Sequence, residues 1–340
     1  MEELKLSLFI SKDSNVYVLC PAYSKTGGPE LLHQLVNELT NNGIDAYITY
    51  YDIKKNDANY TPDDFKKYIT DYKTLIEIED KKENIVISPE INWAINIIKK
   101  VKNAQKIIWW LSVDNFDRTC GLKNTLKTYG LITTPILMLK REMIYNFSNI
   151  NIFDKHLCQS HYAIKYLEKK GIDNPLYLSD YVNDEYLNII DYNDKEDIIA
   201  YNPKKGQKFT KKIITQAKDL KFVPIQNLTT QQVKELLLKS KVYIDFGNHP
   251  GKDRIPREAA MCGCCIITNK RGSARYYEDV PINNEFKFDD TTENIEMIIK
   301  KIKDCIENYD NEINKFDNYR QFIKQEKQQF KTDVKQIFEL

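Results

Sequence analysis

The stretch Val242–Phe288, VYIDFGNHPGKDRIPREAAMCGCCIITNKRGSARYYEDVPINNEFKF, gathers the side chains best suited to chemistry. Lys252, Arg254 and Arg257 place three cations around one turn, and Glu258 follows directly. A helix with Pro256 in its first turn would aim unbonded backbone N–H groups and a partial positive charge at the same place. That combination suits a phosphate or a diphosphate. A carboxylate at Glu258 suits the paired hydroxyls of a sugar. The arrangement reads as a place for a sugar nucleotide held by its diphosphate and its ribose.

The elements that would position these groups are short. Val242–Phe246 and Cys264–Thr268 are apolar and rich in β-branched residues, as buried strands are. Arg257–Cys262 reads as the helix between them, ended by Gly263. Such βαβ units bind ligands at the carboxyl ends of their strands. The same alternation opens the chain: strand Asn15–Leu19, helix Glu30–Asn42, strand Ala46–Tyr51. Gly27 and Gly28 fall at its first crossing, where a missing side chain admits a ligand or a facing domain, or simply a tight turn. The spacing is not GxGxxG, so a dinucleotide fingerprint is not supported.

Further strands are expected at Asn84–Ser88, Lys106–Leu111, Lys155–Gln159, Pro175–Leu178, Ile198–Tyr201 and Phe222–Ile225. Helices are expected at Pro89–Lys102, His161–Lys170, Thr210–Leu220 and Thr229–Ser240. Lys54–Thr74 reads as a loop with a short helix, and Leu131–Leu139 fits neither pattern clearly. The polar, acidic segment Tyr181–Asp197 reads as a crossover between domains. The expected fold is α/β: two facing Rossmann-like domains, residues 1–182 and 183–310, with a charged helical tail, 311–340, packing back on the first. The cleft between the domains is then the default site.

Composition narrows the function classes. With 50 basic against 49 acidic residues the net charge is +1, unlike the lopsided balance of a nucleic-acid binder. No apolar run is long enough to cross a bilayer, and the first residues lack the pattern of an export leader. Seven scattered cysteines, an odd number, point to reduced thiols and a cytoplasmic location. Cys262, Cys264 and Cys265 raise a metal question, but without a partner at zinc spacing they read as core.

On the glycine pair, the basic loops, the helix carrying Glu258 and the segments WWLSVDN, LSDYVNDEYL and FGNHPGKDRIPREAAMCGC, the chain resembles the GT-B glycosyltransferases over most of its length. It is most similar to bacterial group 1-type transferases that build capsular and lipopolysaccharide chains. The resemblance implies a nucleotide-sugar donor on the C-terminal domain, with Glu258 on the ribose. It puts Lys204 and Lys205 on the diphosphate together with Arg254, Gly272 and Ser273 near the phosphates, and Asn227 near the base. It implies a glycan acceptor, free or lipid-linked, on the N-terminal domain, where Gly27, Gly28 and His161 would face it, and transient contact with the inner membrane face. No cofactor and no metal are implied, because cations and helix N-termini stabilise the leaving diphosphate.

One departure stands out. Retaining members carry a second glutamate eight positions before the ribose-binding one, and here that position is Pro250, with His249 beside it. His249 is either a donor-sugar contact or an ordinary loop histidine. An inverting enzyme would need a base for the acceptor hydroxyl. Asp114, at the end of a strand, is the first candidate and His33 a distant second; for a retaining enzyme Asp114 would only position the acceptor. Two other readings keep the same architecture: a sugar-nucleotide epimerase, and a non-catalytic protein that binds nucleotide or glycan.

Overall fold

A computed structural model describes residues 8, 10, 11, 13–54, 59–139, 146–189, 191, 192 and 194–340. Contacts divide the chain into a first unit that runs to Asp180 and takes in Gln329–Leu340, and a second unit, Tyr181–Gln328.

The first unit is built on strands β1 (Asn15–Pro21), β2 (Asp45–Tyr51), β3 (Tyr72–Thr74), β4 (Ile85–Pro89), β5 (Gln105–Trp110), β6 (Lys155–Cys158) and β7 (Leu176–Tyr177). They lie in the order β3-β2-β1-β4-β5-β6-β7, and every pairing is parallel. Buried parallel strands need continuous apolar runs rather than alternation. Val16, Val18, Leu19, Ile85, Val86, Ile87, Ile107 and Ile108 supply them, all fully buried. Two indoles beside them are satisfied as burial requires: Trp109 donates to the Leu178 carbonyl at 2.9 Å and Trp110 to His156 Nδ1 at 3.1 Å.

The second unit carries β8 (Glu196–Tyr201), β9 (Lys221–Pro224), β10 (Ser240–Asp245), β11 (Cys265–Asn269) and β12 (Lys287–Phe288), again all parallel, in the order β12-β11-β10-β8-β9. Cys262, Cys264 and Cys265 lie in its core as free thiols. The Lys195 ammonium donates to the carbonyls of Leu237, Ser240 and Cys262, where two helices end and a cation is favoured.

The α/β class and the strand alternation are as the sequence predicts, with several differences. β3 and β12 are new, being three and two residues long and too short for periodicity to register. After β4 the helix starts at Asn92 rather than at Pro89, because that proline finishes the strand. The unclear segment is the later half of helix Leu122–Leu139, broken at Gly130 (φ 78°, ψ 176°). The tail is not a separate piece: residues 311–328 pack with the second unit and 329–340 with the first, where the Leu8 amide donates to Ile337 O at 2.8 Å.

Two histidines of the first unit are held neutral. His33 Nδ1 meets the Pro29 carbonyl at 2.7 Å, so that nitrogen carries the proton, and Nε2 accepts from the Tyr50 hydroxyl at 2.8 Å. Burial lowers both His33 and His156 to about 4. The unfolded chain therefore binds protons that the folded one refuses. Stability should be full above about pH 6.5 and fall as the pH drops towards about 4. Within that window each histidine removes up to about 1.4 kcal/mol per pH unit. Urea melts across it should show that slope, and His33→Asn should remove about half of it.

Candidate functional site

Ligands of open parallel sheets sit where the strand order reverses. In the second unit that point lies between β8 and β10, and in the first between β1 and β4.

At the β8/β10 point three loops meet almost without side chains between their backbones. Gly206, after β8, has φ 59°, and a Cβ there would stand 2.1 Å from Phe246 O. Gly272, after β11, has φ 54°, and its Cβ would lie 1.9 Å from His249 O. Only glycine fits either position. Hydrogen bonds close the seam: Ser273 N to His249 O at 2.9 Å, Ser273 Oγ to Gly251 O at 2.6 Å, and Asn269 Nδ2 to Gly247 O at 2.7 Å.

His249 lies in the middle of this seam, 2% exposed. Its Nδ1 is 2.8 Å from Asp253 Oδ2 and its Nε2 is 3.8 Å from Asp245 Oδ1. Burial works to lower its pKa, yet the two carboxylates outweigh burial and hold it above the ordinary histidine value. Burial would likewise raise Asp253, but His249 and Lys205 keep it below the usual carboxylate range. Lys205 closes the set, with Nζ 2.7 Å from Asp253 Oδ1. Asp245 is fixed by the Gly247 amide at 2.9 Å and the Tyr243 hydroxyl at 3.0 Å. The ligand atoms of Asp245, His249 and Asp253 come within 4.8 Å of one another, close enough for a metal ion. His249 thus pairs with Asp253 through Nδ1, while Nε2 stands 3.8 Å from Asp245 Oδ1, beyond hydrogen-bond distance.

Asp253 also stands at the N-cap of helix Arg254–Met261 but makes no side-chain cap there, being committed to His249 and Lys205. Arg254 opens the helix and pairs with Glu258 at 3.0 Å, leaving its own side chain a quarter exposed. Lys204 and Asn227 are exposed, Asn227 with a left-handed backbone at φ 56°. The strand-end loops thus bring together Lys205, Arg254, Glu258, Gly272, Ser273 and His249.

Two expectations change here. Lys252 does not face the strand ends: it is buried and meets Glu326 Oε1 at 2.6 Å, while Arg257 meets Glu326 Oε2 at 2.8 Å. Glu326 belongs to helix Asp317–Phe338, so both cations serve to hold that helix. His249 is a buried tie between loops, not a side chain open to a sugar.

In the first unit, Gly27 and Gly28 open helix Gly27–Asn41 after β1. A Cβ on Gly28 would meet Leu111 Cδ1 at an ordinary 3.7 Å, so no close approach demands glycine there. Asp114 lies in the first turn of helix Val113–Thr119 and accepts from the Tyr162 hydroxyl at 2.7 Å. His161 begins helix His161–Lys169, half-buried. His33 is locked between Pro29 and Tyr50, which removes it as a base.

The sequence reading missed Glu90. It follows β4 at the reversal point, is 3% exposed, and accepts from the Leu111 amide at 2.9 Å. Burial pushes its pKa up to about 7, so it can hold or release a proton near neutrality. The available signal was its place immediately after a buried strand. The signal for the His249 cluster was sharper: Asp245, His249 and Asp253 are spaced four apart in DFGNHPGKD.

No protein-family model matches the chain, and no curated protein matches its sequence. Solved structures do match. HepE of Anabaena in complex with UDP aligns with a TM-score of 0.62 at 12% identity, covering 95% of this chain and 98% of that one. TarM gives 0.61 at 10% identity, with 94% and 95% covered. An S. aureus TarM variant in complex with UDP gives 0.53 at 14% identity, over 76% of this chain and 55% of that one. The chain has the GT-B fold. Within that fold Lys252 should behave as a structural residue and Lys204 as a surface one. Lys252→Met, which leaves Glu326 with one cation fewer, should cost about 3 kcal/mol in denaturant melts. Lys204→Ala should stay within about 0.5 kcal/mol of the parent.

Proposed function

We propose that the protein is a glycosyltransferase that moves a sugar from a nucleotide donor, UDP-linked in the first instance, to a glycan acceptor of the capsule or lipopolysaccharide type. The observation that carries this reading is the strand-end array of the second unit. Lys205 and Arg254 flank the start of a helix whose N-cap aspartate does not cap it, and Glu258 lies one turn on. Backbone amides and cations converging at a topological reversal suit a diphosphate, and they would stabilise it as it leaves. HepE and TarM, which share the fold, have been solved with UDP or UDP-glucose.

The donor would sit on the second unit and the acceptor on the first. There Asp114, half-buried in the first turn of its helix, is the carboxyl group we assign to position or deprotonate a hydroxyl. With Lys205 and Arg254 to neutralise the diphosphate, we expect transfer to need no metal.

Thermal melts with UDP, GDP, CMP and dTDP test the donor site. A nucleotide at about 100 times its Kd stabilises the folded chain by about 2.7 kcal/mol. UDP should raise the melting temperature, chelator should leave the rise intact, and Arg254→Ala and Glu258→Ala should each diminish it. A UDP shift that both variants retain would remove this array as the donor site. A shift that vanishes with chelator and returns with magnesium would overturn metal independence.

A further inference from the structure

At the strand ends of the second unit, His249 Nε2 and Thr268 Oγ1 have no hydrogen-bond partner among the described residues. His249 is 2% exposed and Thr268 1%, so bulk water does not supply the missing bonds. Buried polar atoms are rarely left bare, and each such atom calls for an explanation. Thr268 of β11 pairs in register with Asp245 of β10, which puts both side chains on the same face of the sheet. Thr268, His249 and Asp253 line one cavity of about 10 Å³, room for a single small guest. Lys252 and Arg257 line it too, but Glu326 engages both.

The 3.8 Å from Nε2 to Asp245 Oδ1 is too long for an N–H···O hydrogen bond, which closes at about 2.7–3.2 Å. It does fit two ligand atoms on one metal ion. Bonds of about 2.0–2.2 Å to nitrogen and oxygen hold such atoms about 3–4 Å apart. The other ring nitrogen is already taken: Nδ1 lies 2.8 Å from Asp253 Oδ2, and Lys205 holds the far oxygen of Asp253. A carboxylate that fixes one imidazole nitrogen and leaves the other to the ion is the usual support of a metal-binding histidine. Asp245 is oriented as firmly, by the Gly247 amide and the Tyr243 hydroxyl. Imidazole, carboxylate and hydroxyl together suit zinc and its neighbours better than magnesium, which prefers oxygen alone.

We propose that His249 Nε2 and Asp245 Oδ1 bind a divalent transition-metal ion of the zinc class, with the Thr268 hydroxyl as a further ligand and Asp253 orienting the imidazole. The ion is structural: it joins the loop after β10 to the strands beneath it and takes no part in neutralising a diphosphate. This does not depend on the transferase reading. The full chain, stripped by long dialysis against chelator and then dialysed against zinc or cobalt, should retain about one ion and melt higher. Magnesium should do neither. X-ray absorption of the zinc-loaded parent should show nitrogen and oxygen at about 2.0–2.2 Å and no sulfur. His249→Gln and Asp245→Asn should abolish retention, and Asp253→Asn should weaken zinc binding by about 10- to 100-fold. Thr268→Val, which removes only the hydroxyl, should weaken it without lowering the melting temperature of the zinc-free chain. Three results would overturn the proposal: a parent that retains neither zinc nor cobalt, which would leave water as the guest; a sulfur shell, which would move the ion to the cysteines; or zinc binding that Asp245→Asn and Thr268→Val both leave unchanged.

Discussion

One buried residue ties together the strand-end loops of the second unit. The carbonyl of His249 takes the Ser273 amide from the loop after β11, and its ring holds Asp253 within its own loop. Through Asp253 it reaches Lys205 in the loop after β8. Three segments distant in sequence thereby share one charged centre. The glycines at 206 and 272 follow from this, because the loops must approach to backbone contact for the centre to close.

A second buried group works beside it. Lys252 and Arg257 bracket Glu326, so the loop and helix that carry Arg254 and Glu258 are backed by helix Asp317–Phe338. Buried ion pairs add little net stability over apolar packing, yet lose much when one partner goes. Their value here is positional. They fix the direction in which Arg254 and Glu258 face, and they assign neighbouring basic residues to separate tasks. Lys252 and Arg257 turn inward, while Arg254 stays at the surface.

That division was not legible in the sequence. The run KDRIPRE announces a cationic turn, but which cation points inward is decided by Glu326, far along the chain. The strands were legible because β-branched runs such as IVIS and VYID leave little alternative in a buried parallel sheet. β3 and β12 were not, since three or two residues carry no period. The helix that carries Asp114 just after β5 was not legible, because SVDNF suits a turn and a helix start alike. The neutral state of His33 depends on its burial, which only the tertiary fold brings about. The spacing of Asp245, His249 and Asp253 was in plain view, but whether such a trio faces solvent or core is set by the loops that cover it.

All the strand pairings described in both sheets are parallel. No pair can therefore form through a tight hairpin, and each must wait for a long crossover to close. The β1–β4 pair, which aligns Val16 with Ile85 and Val18 with Ile87, forms only across the whole of β2 and β3. Chain entropy is lost before these contacts return anything, which slows the search for the native state. The pairing at the reversal point of each sheet, β1–β4 and β8–β10, closes across at least one whole intervening strand.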